Sequence, residues 1–338
     1  MIQIVWLPIL LEKLDKSLVI GTMGFTLAFP WILLITIDGF TYIFRHHLWI
    51  FKLSIIILFA SLGLIIIFAV FRGFMRYGYI IMAIWNPQKG PEVYNHLLLG
   101  DTVALLGLVI LGLLKRPTTK VAFYLLTILL LFLNYSRLSF YLFFLTATMM
   151  ILSRKYSQKV GIVVGIIIVI AVILYITLIS PPLLLENPSI RMRSLFSNDP
   201  SMAGRISLMQ DNLELLKNHW LLGHFLVDTI EFGKGSYAHN WLSFWIAYGV
   251  GPFVLSIYLM VIILLKTRKR MYKYTENYIA YYLLLYAILA VILGRSYIWP
   301  YIWLTLGFAS NGLCIPFNPR FVDVNAQSRY KPTTMSSL

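Results

Sequence analysis

A histidine–asparagine pair, His239–Asn240, closes the polar stretch 181–238 and opens an apolar one, in GSYAHNWLSFWIAYGVGPF. Three arginines sit at similar polar–apolar boundaries: Arg137 in LFLNYSRLSFYLFF, Arg205 in SMAGRISLMQ and Arg295 in VILGRSYIWP. An imidazole titrates near neutral pH and can take a proton from a hydroxyl. A guanidinium grips phosphate oxygens bidentately and keeps its charge when partly desolvated. Such a set would hold an anionic ester while deprotonating an alcohol that attacks it. His96 and Asp101, in VYNHLLLGDTVALL, are supporting candidates, with Asp101 placed either to pair with an arginine or to line a wet cavity. Plainer readings exist for each: snorkelling for Arg137, a headgroup contact for Arg205, a satisfied boundary histidine for His239. No metal or other cofactor is expected. His219, His224 and His239 lack ligand spacing, and the chain has no HExxH, GxGxxG, Walker or Asp-x-Asp pattern.

The elements that must position these groups are apolar. Of the 338 residues, 59% are hydrophobic and 12% charged, about half the charge of an ordinary soluble domain. Apolar runs long enough to cross a bilayer recur along the chain, so the expected fold is an all-α, polytopic transmembrane helix bundle. Nine spans are read, at about 17–37, 48–71, 95–114, 119–135, 137–153, 160–180, 239–265, 277–294 and 297–316. They form one transmembrane domain over 1–316, with 317–338 as a tail. Residues 1–11 lack the basic region and small-residue site of a cleavable signal. The single cysteine, Cys314, makes no internal disulfide.

The formal net charge of +15 raises the question of nucleic acid. Its distribution answers it. Lys115, Arg116 and Lys120 lie in one short connection, Arg154, Lys155 and Lys159 in another, and Lys266, Arg268, Lys269, Arg270 and Lys273 in a third, none with an acidic residue. The positive-inside rule makes these connections and the tail cytoplasmic, so the basicity records topology and no nucleic-acid partner is expected. By parity, 72–94, 181–238 and 294–297 face outward, with the candidate residues among or beside them. Parity also places Glu12, Lys13, Asp15 and Lys16 outside, where they show no charge bias.

The large outer loop, 181–238, contains a helix signal. Asp199 is a cap with Pro200 in the first turn, and Gly223 is the stop. Ile206, Met209, Leu213, Leu216 and Trp220 form an apolar stripe that should lie on the bilayer surface or over the bundle. Arg205 falls in the first turn beside that stripe.

The outer face has no supply of nucleotides, so an activated substrate there arrives on a lipid. A lipid-linked diphosphate fits three arginines and a histidine. The arginines stabilise the charge that grows on the leaving diphosphate, and the histidine activates the acceptor hydroxyl.

In order, Ser136–Arg137, Gly204–Arg205, Gly223, and His239–Asn240 followed by Gly249–Val250–Gly251 resemble the O-antigen ligase and O-antigen polymerase family of lipid-linked polysaccharide glycosyltransferases. The resemblance covers about residues 90–265. It implies metal-independent glycosyl transfer from an undecaprenyl-diphosphate-linked glycan donor to a glycan acceptor, at the periplasmic face of a bacterial inner membrane. It implies that Arg137 and Arg205 bind the diphosphate and His239 activates the acceptor. Asn240 would support His239. Arg295 carries no family motif and enters as a diphosphate ligand on physical grounds alone. Membrane lipids, and for a polymerase a chain-length regulator, are the further partners implied.

The expected function is a polysaccharide repeat-unit polymerase, with a ligase acting on lipid A core as the alternative, since the two share donor and leaving group. A flippase for lipid-linked oligosaccharide is the reading from another class. Transporters place polar residues near the midplane and show paired repeats, whereas the ionisable residues here gather at one face.

Overall fold

The computed structural model describes residues 47–77, 84–86, 90–92, 96–134, 136–153, 200–232, 238, 240–272 and 275–314, with the backbone alone at 73, 74, 76, 77, 84–86, 90–92, 96, 200–206 and 311–314. The expected spans 17–37 and 160–180, the tail 317–338 and His239 itself lie outside the described residues.

Ten helices are described. They are α1 (Leu48–Tyr77), α2 (His96–Leu113), α3 (Pro117–Leu133), α4 (Arg137–Leu152), α5 (Pro200–His219), α6 (Val227–Phe232), α7 (Leu242–Tyr248), α8 (Val250–Arg270), α9 (Thr275–Leu293) and α10 (Pro300–Cys314). Three contain stretches long and apolar enough to cross a membrane: Leu48–Arg72, Val250–Arg270 and Thr275–Leu293. Leu97–Leu113, Pro117–Leu133 and Arg137–Leu152 are apolar but shorter.

The described elements are helical but for one short hairpin, and one expected span is divided. Ile84–Asn86 (β1) and Gly90–Glu92 (β2) pair antiparallel, so the 72–94 connection holds a small hairpin. Its joining sequence runs Asn86–Pro87–Gln88–Lys89–Gly90, and Asn-Pro and glycine are turn formers. The stretch expected as one span over 239–265 is instead two helices, α7 and α8, divided at Gly249.

The bundle is built around α9, which packs against α2, α4, α8 and α10, while α2 also meets α1, α3 and α4. Tyr278, Leu284, Tyr286, Ala287 and Val291 of α9 are all buried, so this helix is apolar around its whole girth and sits inside. By contrast α1 and α8 turn large apolar side chains outward, among them Ile57, Phe68, Val254 and Tyr258. In water such faces would be unstable; against lipid chains they are ordinary.

The two ends of the bundle differ in chemistry. At one end lie the Lys115–Arg116 turn and the basic last turn of α8, and Ser153 there bonds the Tyr278 hydroxyl at 3.2 Å. At the other end lie Asp101, the α3–α4 turn, Gly249 and the turn 294–299.

Helix α5 starts at Pro200 as the sequence predicts. Gly223, at φ +69°, follows its end and donates to the His219 carbonyl at 2.9 Å. The face it packs is shifted from the predicted stripe. Asn212 and Leu216 are buried, with Leu208 and Leu215 half-buried beside them, while Met209, Leu213 and Trp220 are exposed. Leu208, Leu215 and Leu216 thus face the protein, and the exposed Met209, Leu213 and Trp220 fit the alternative in which the stripe lies on a bilayer surface.

Candidate functional site

The loop after α5 and the break before α8 are locked together through two glycines. Gly249 takes φ 84° and ψ 178°, a conformation open in practice only to glycine, and Gly223 also has positive φ. Added side chains would meet backbone: a Cβ on Gly249 would lie 2.7 Å from the Leu222 carbonyl carbon, and one on Gly223 2.7 Å from that of Tyr248. The contact is closed by hydrogen bonds. Val250 N–H donates to the Trp220 carbonyl at 3.0 Å, His224 N–H to Ile246 at 2.7 Å, and the Trp245 indole to Trp220 at 2.8 Å. The helix that bears Arg205 is thereby held in register with the one that follows His239–Asn240.

Asn240 opens α7. Its Oδ1 accepts the Leu242 N–H at 3.0 Å, an Asx turn, and its carbonyl accepts the Ser243 hydroxyl at 2.8 Å. On the other side of His239, Ala238 is buried in a small cluster with Leu216, Val227 and Ile246. The chain entering and leaving His239 is thus anchored on both sides.

A second cluster lies at the same end of the bundle. Asp101, in the first turns of α2, is 1% exposed and Arg295 8%. Arg295 Nε lies 2.7 Å from Oδ2 and Nη2 3.2 Å from Oδ1. The Trp299 indole donates to Oδ2 at 2.9 Å, while the Tyr286 and Ser139 hydroxyls donate to Oδ1 at 3.0 and 2.6 Å. A buried carboxylate is costly unless paired and hydrogen-bonded, and five donors on two oxygens meet that condition. Gly100 makes room for it: a Cβ there would lie 2.5 Å from that of Ser136.

Arg137 is the first residue of α4 and is half-buried. Ser136, at the cap position, makes no capping bond to the helix, and the first turn holds no acidic residue. Its hydroxyl instead pairs with Ser139 Oγ at 2.6 Å. A cation at a helix N-terminus, unaccompanied by a carboxylate in the first turn, is a setting that favours an anion.

The placement of the other predicted residues is as follows. Asp101 and Arg295 are brought together, and Ser136–Arg137 is brought beside them through Ser139. Arg295 has two of its nitrogens on Asp101 rather than turned toward an open surface. Arg205 falls in the first turns of α5 and His96 opens α2, both described in backbone only.

Sequence reasoning missed Tyr286, Trp299 and Ser139, the remaining donors to Asp101. It also missed Asp228 in α6, a buried carboxyl whose Oδ1 accepts the Thr229 N–H at 2.7 Å. Burial pushes the Asp228 carboxyl above the ordinary carboxylate range, with the Thr229 bonds acting the other way. Among the described residues no three His, Cys, Asp or Glu side chains gather as a metal site would need.

No curated protein matches the chain. A family match does exist, and it falls where the glycine lock and the two anchored loops are found. Residues 122–250 match the family model described as O-antigen ligase, a stretch that holds Arg137, Arg205, His239, Asn240 and both locked glycines.

Proposed function

We propose that this protein is a membrane glycosyltransferase that joins lipid-diphosphate-linked oligosaccharide repeat units at the outer face of a bacterial inner membrane, as a polysaccharide polymerase. The O-antigen ligase family implies an enzyme acting on lipid-linked glycans in a membrane, and apolar helices long enough to span one agree with it. The observation that supports a diphosphate-linked donor, shared by polymerase and ligase, is the placement of Arg137. It opens α4 inside the matched stretch, at the end of the bundle opposite the basic turns, on a helix with no first-turn carboxylate.

In this reading Arg137 and Arg205 hold the diphosphate of the donor. His239 takes the proton from the acceptor sugar hydroxyl as its oxygen attacks the anomeric carbon, and undecaprenyl diphosphate leaves with the bonding pair. Arginines that follow the growing charge on the diphosphate do the work a divalent cation does elsewhere. A well-placed base contributes roughly 10²–10⁴ in rate.

Transfer of finished polymer to lipid A core is the second reading, favoured by the description of the matching family model as a ligase. The glycan phenotype of a strain lacking this protein tests both. Lipid A core carrying one repeat unit supports the polymerase. Unattached polymer accumulating on undecaprenyl diphosphate supports the ligase, and intermediates trapped on the cytoplasmic leaflet overturn both.

A further inference from the structure

The Asp101–Arg295 pair lies deep enough to pass for a structural brace, but one of its branches leads out of the brace. Ser139 donates to Asp101 Oδ1 at 2.6 Å, and Ser136 Oγ lies 2.6 Å from Ser139 Oγ. Each serine hydroxyl has one hydrogen. A carboxylate facing a guanidinium and an indole N–H is an acceptor only, so the Ser139 hydrogen must point to Asp101. The bond between the serines is then oriented as well, Ser136 donating and Ser139 accepting.

The consequence falls on the residue next in the chain, Arg137. Serine is a preferred helix cap, its oxygen turned to the N–H groups of the first turn. Here Ser136 sits at that position without making the capping bond. Its hydroxyl is drawn sideways toward α2 by a chain that ends on a buried charge. The backbone of α2 cooperates, since only a glycine at 100 lets Ser136 approach.

We propose that Asp101, charged and held in place by Arg295, is a positioning residue: through Ser139 it holds Ser136 away from the cap and so keeps the start of α4, with Arg137, set for the diphosphate of the donor. Arg295 thus acts through Asp101 and does not touch the substrate. This rests on the reading of Arg137 as a diphosphate ligand.

Ser139→Ala is the variant of choice because it cuts the chain and leaves the ion pair with its Tyr286 and Trp299 donors. The measurement is equilibrium binding of undecaprenyl diphosphate to the purified full-length protein in nanodiscs, with thermal stability measured on the same samples. Loss of one oriented hydrogen bond corresponds to about five- to tenfold weaker binding. Ser139→Thr, which keeps the hydroxyl, should restore it, and the melting temperature of Ser139→Ala should stay close to that of the parent.

Unchanged affinity in Ser139→Ala, alongside weakened binding in Arg137→Ala, overturns the positioning role and leaves the donor-site reading standing. Unchanged affinity in Arg137→Ala overturns the donor-site reading, and the positioning role with it. A Ser139→Ala protein that melts early but binds with parental affinity marks the chain as a brace only, which also overturns the proposal.

Discussion

Replacing Gly249 by alanine tests whether the lock between the end of α5 and the start of α8 holds the site in register. At φ 84° and ψ 178° the backbone of Gly249 lies where a residue with a Cβ is strained by about 1–3 kcal/mol. The new methyl would also lie 2.7 Å from the Leu222 carbonyl carbon, a contact with backbone that no rotamer change relieves. If the strands of the lock part to admit it, the Val250–Trp220 hydrogen bond weakens, adding about 1 kcal/mol. The total is about 2–4 kcal/mol, which for a chain of this size lowers the melting temperature by several degrees. Glycosyl transfer should fall further than stability does, because α5 with Arg205 and α7 after His239 lose their common reference. Gly251, two residues on, is the control. A Cβ there meets nothing within 4 Å, and in the first turn of α8 alanine is the better helix former. Thermal unfolding of the purified protein and transfer activity on lipid-linked repeat units read both effects. Parental stability and activity in Gly249→Ala, or equal damage from Gly251→Ala, would refute the reasoning.

Removal of the proposed base, His239→Ala, should abolish long-chain polysaccharide at unchanged protein level, as gel banding of surface glycan and immunoblotting will show. Arg137→Lys keeps a cation but loses the bidentate fork, so transfer should drop by tenfold or so, measured as initial rate against donor concentration. Arg295→Met leaves Asp101 buried and unpaired and should cost about 3–5 kcal/mol of stability, while Asp101→Asn combined with Arg295→Met should regain most of it in thermal unfolding. Asp228 provides a pH test. Burial raises its carboxyl pKa in the folded protein, so the folded state binds the proton more tightly than the unfolded chain. Its contribution is therefore full below the unfolded carboxyl pKa and is lost as pH rises through the folded value. Asp228→Asn should flatten the fall in melting temperature over that window, and an unchanged profile would remove Asp228 as its source.

Much of the candidate site could be read in the sequence because its parts are local. Pro200 and Gly223 delimit α5 through the dihedral preferences of proline and glycine, which act on a few residues at a time. The break at Gly249 was not legible, and one span was expected through it over 239–265, since the atoms it must avoid belong to Leu221 and Leu222. The Asp101–Arg295 pair was legible only as an open choice for Asp101. Its partners come from α4, α9 and the turn before α10, and nothing in periodicity or spacing joins residues so far apart. The packed face of α5 was legible only in part. The stripe was expected on a bilayer surface or over the bundle, and Met209, Leu213 and Trp220 are exposed while Leu216 and Asn212 are buried. Beside a bilayer apolarity no longer tells inside from outside.

The same long-range pair has a consequence for how the protein is made. Asp101 and Arg295 are separated by 194 positions in the chain. At roughly 5–20 residues per second, translation brings the arginine about 10–40 s after its carboxylate. Until then the Asp101 carboxylate on α2 lacks the partner that balances its charge, a costly state for a group that ends 1% exposed. A nascent chain stalled or truncated before α9 and α10 therefore leaves that carboxylate without Tyr286, Arg295 and Trp299, three of the four residues that satisfy it. Arrival of α9, α10 and the turn between them supplies these partners together, so the cluster around Asp101 cannot be set before the chain has been made that far.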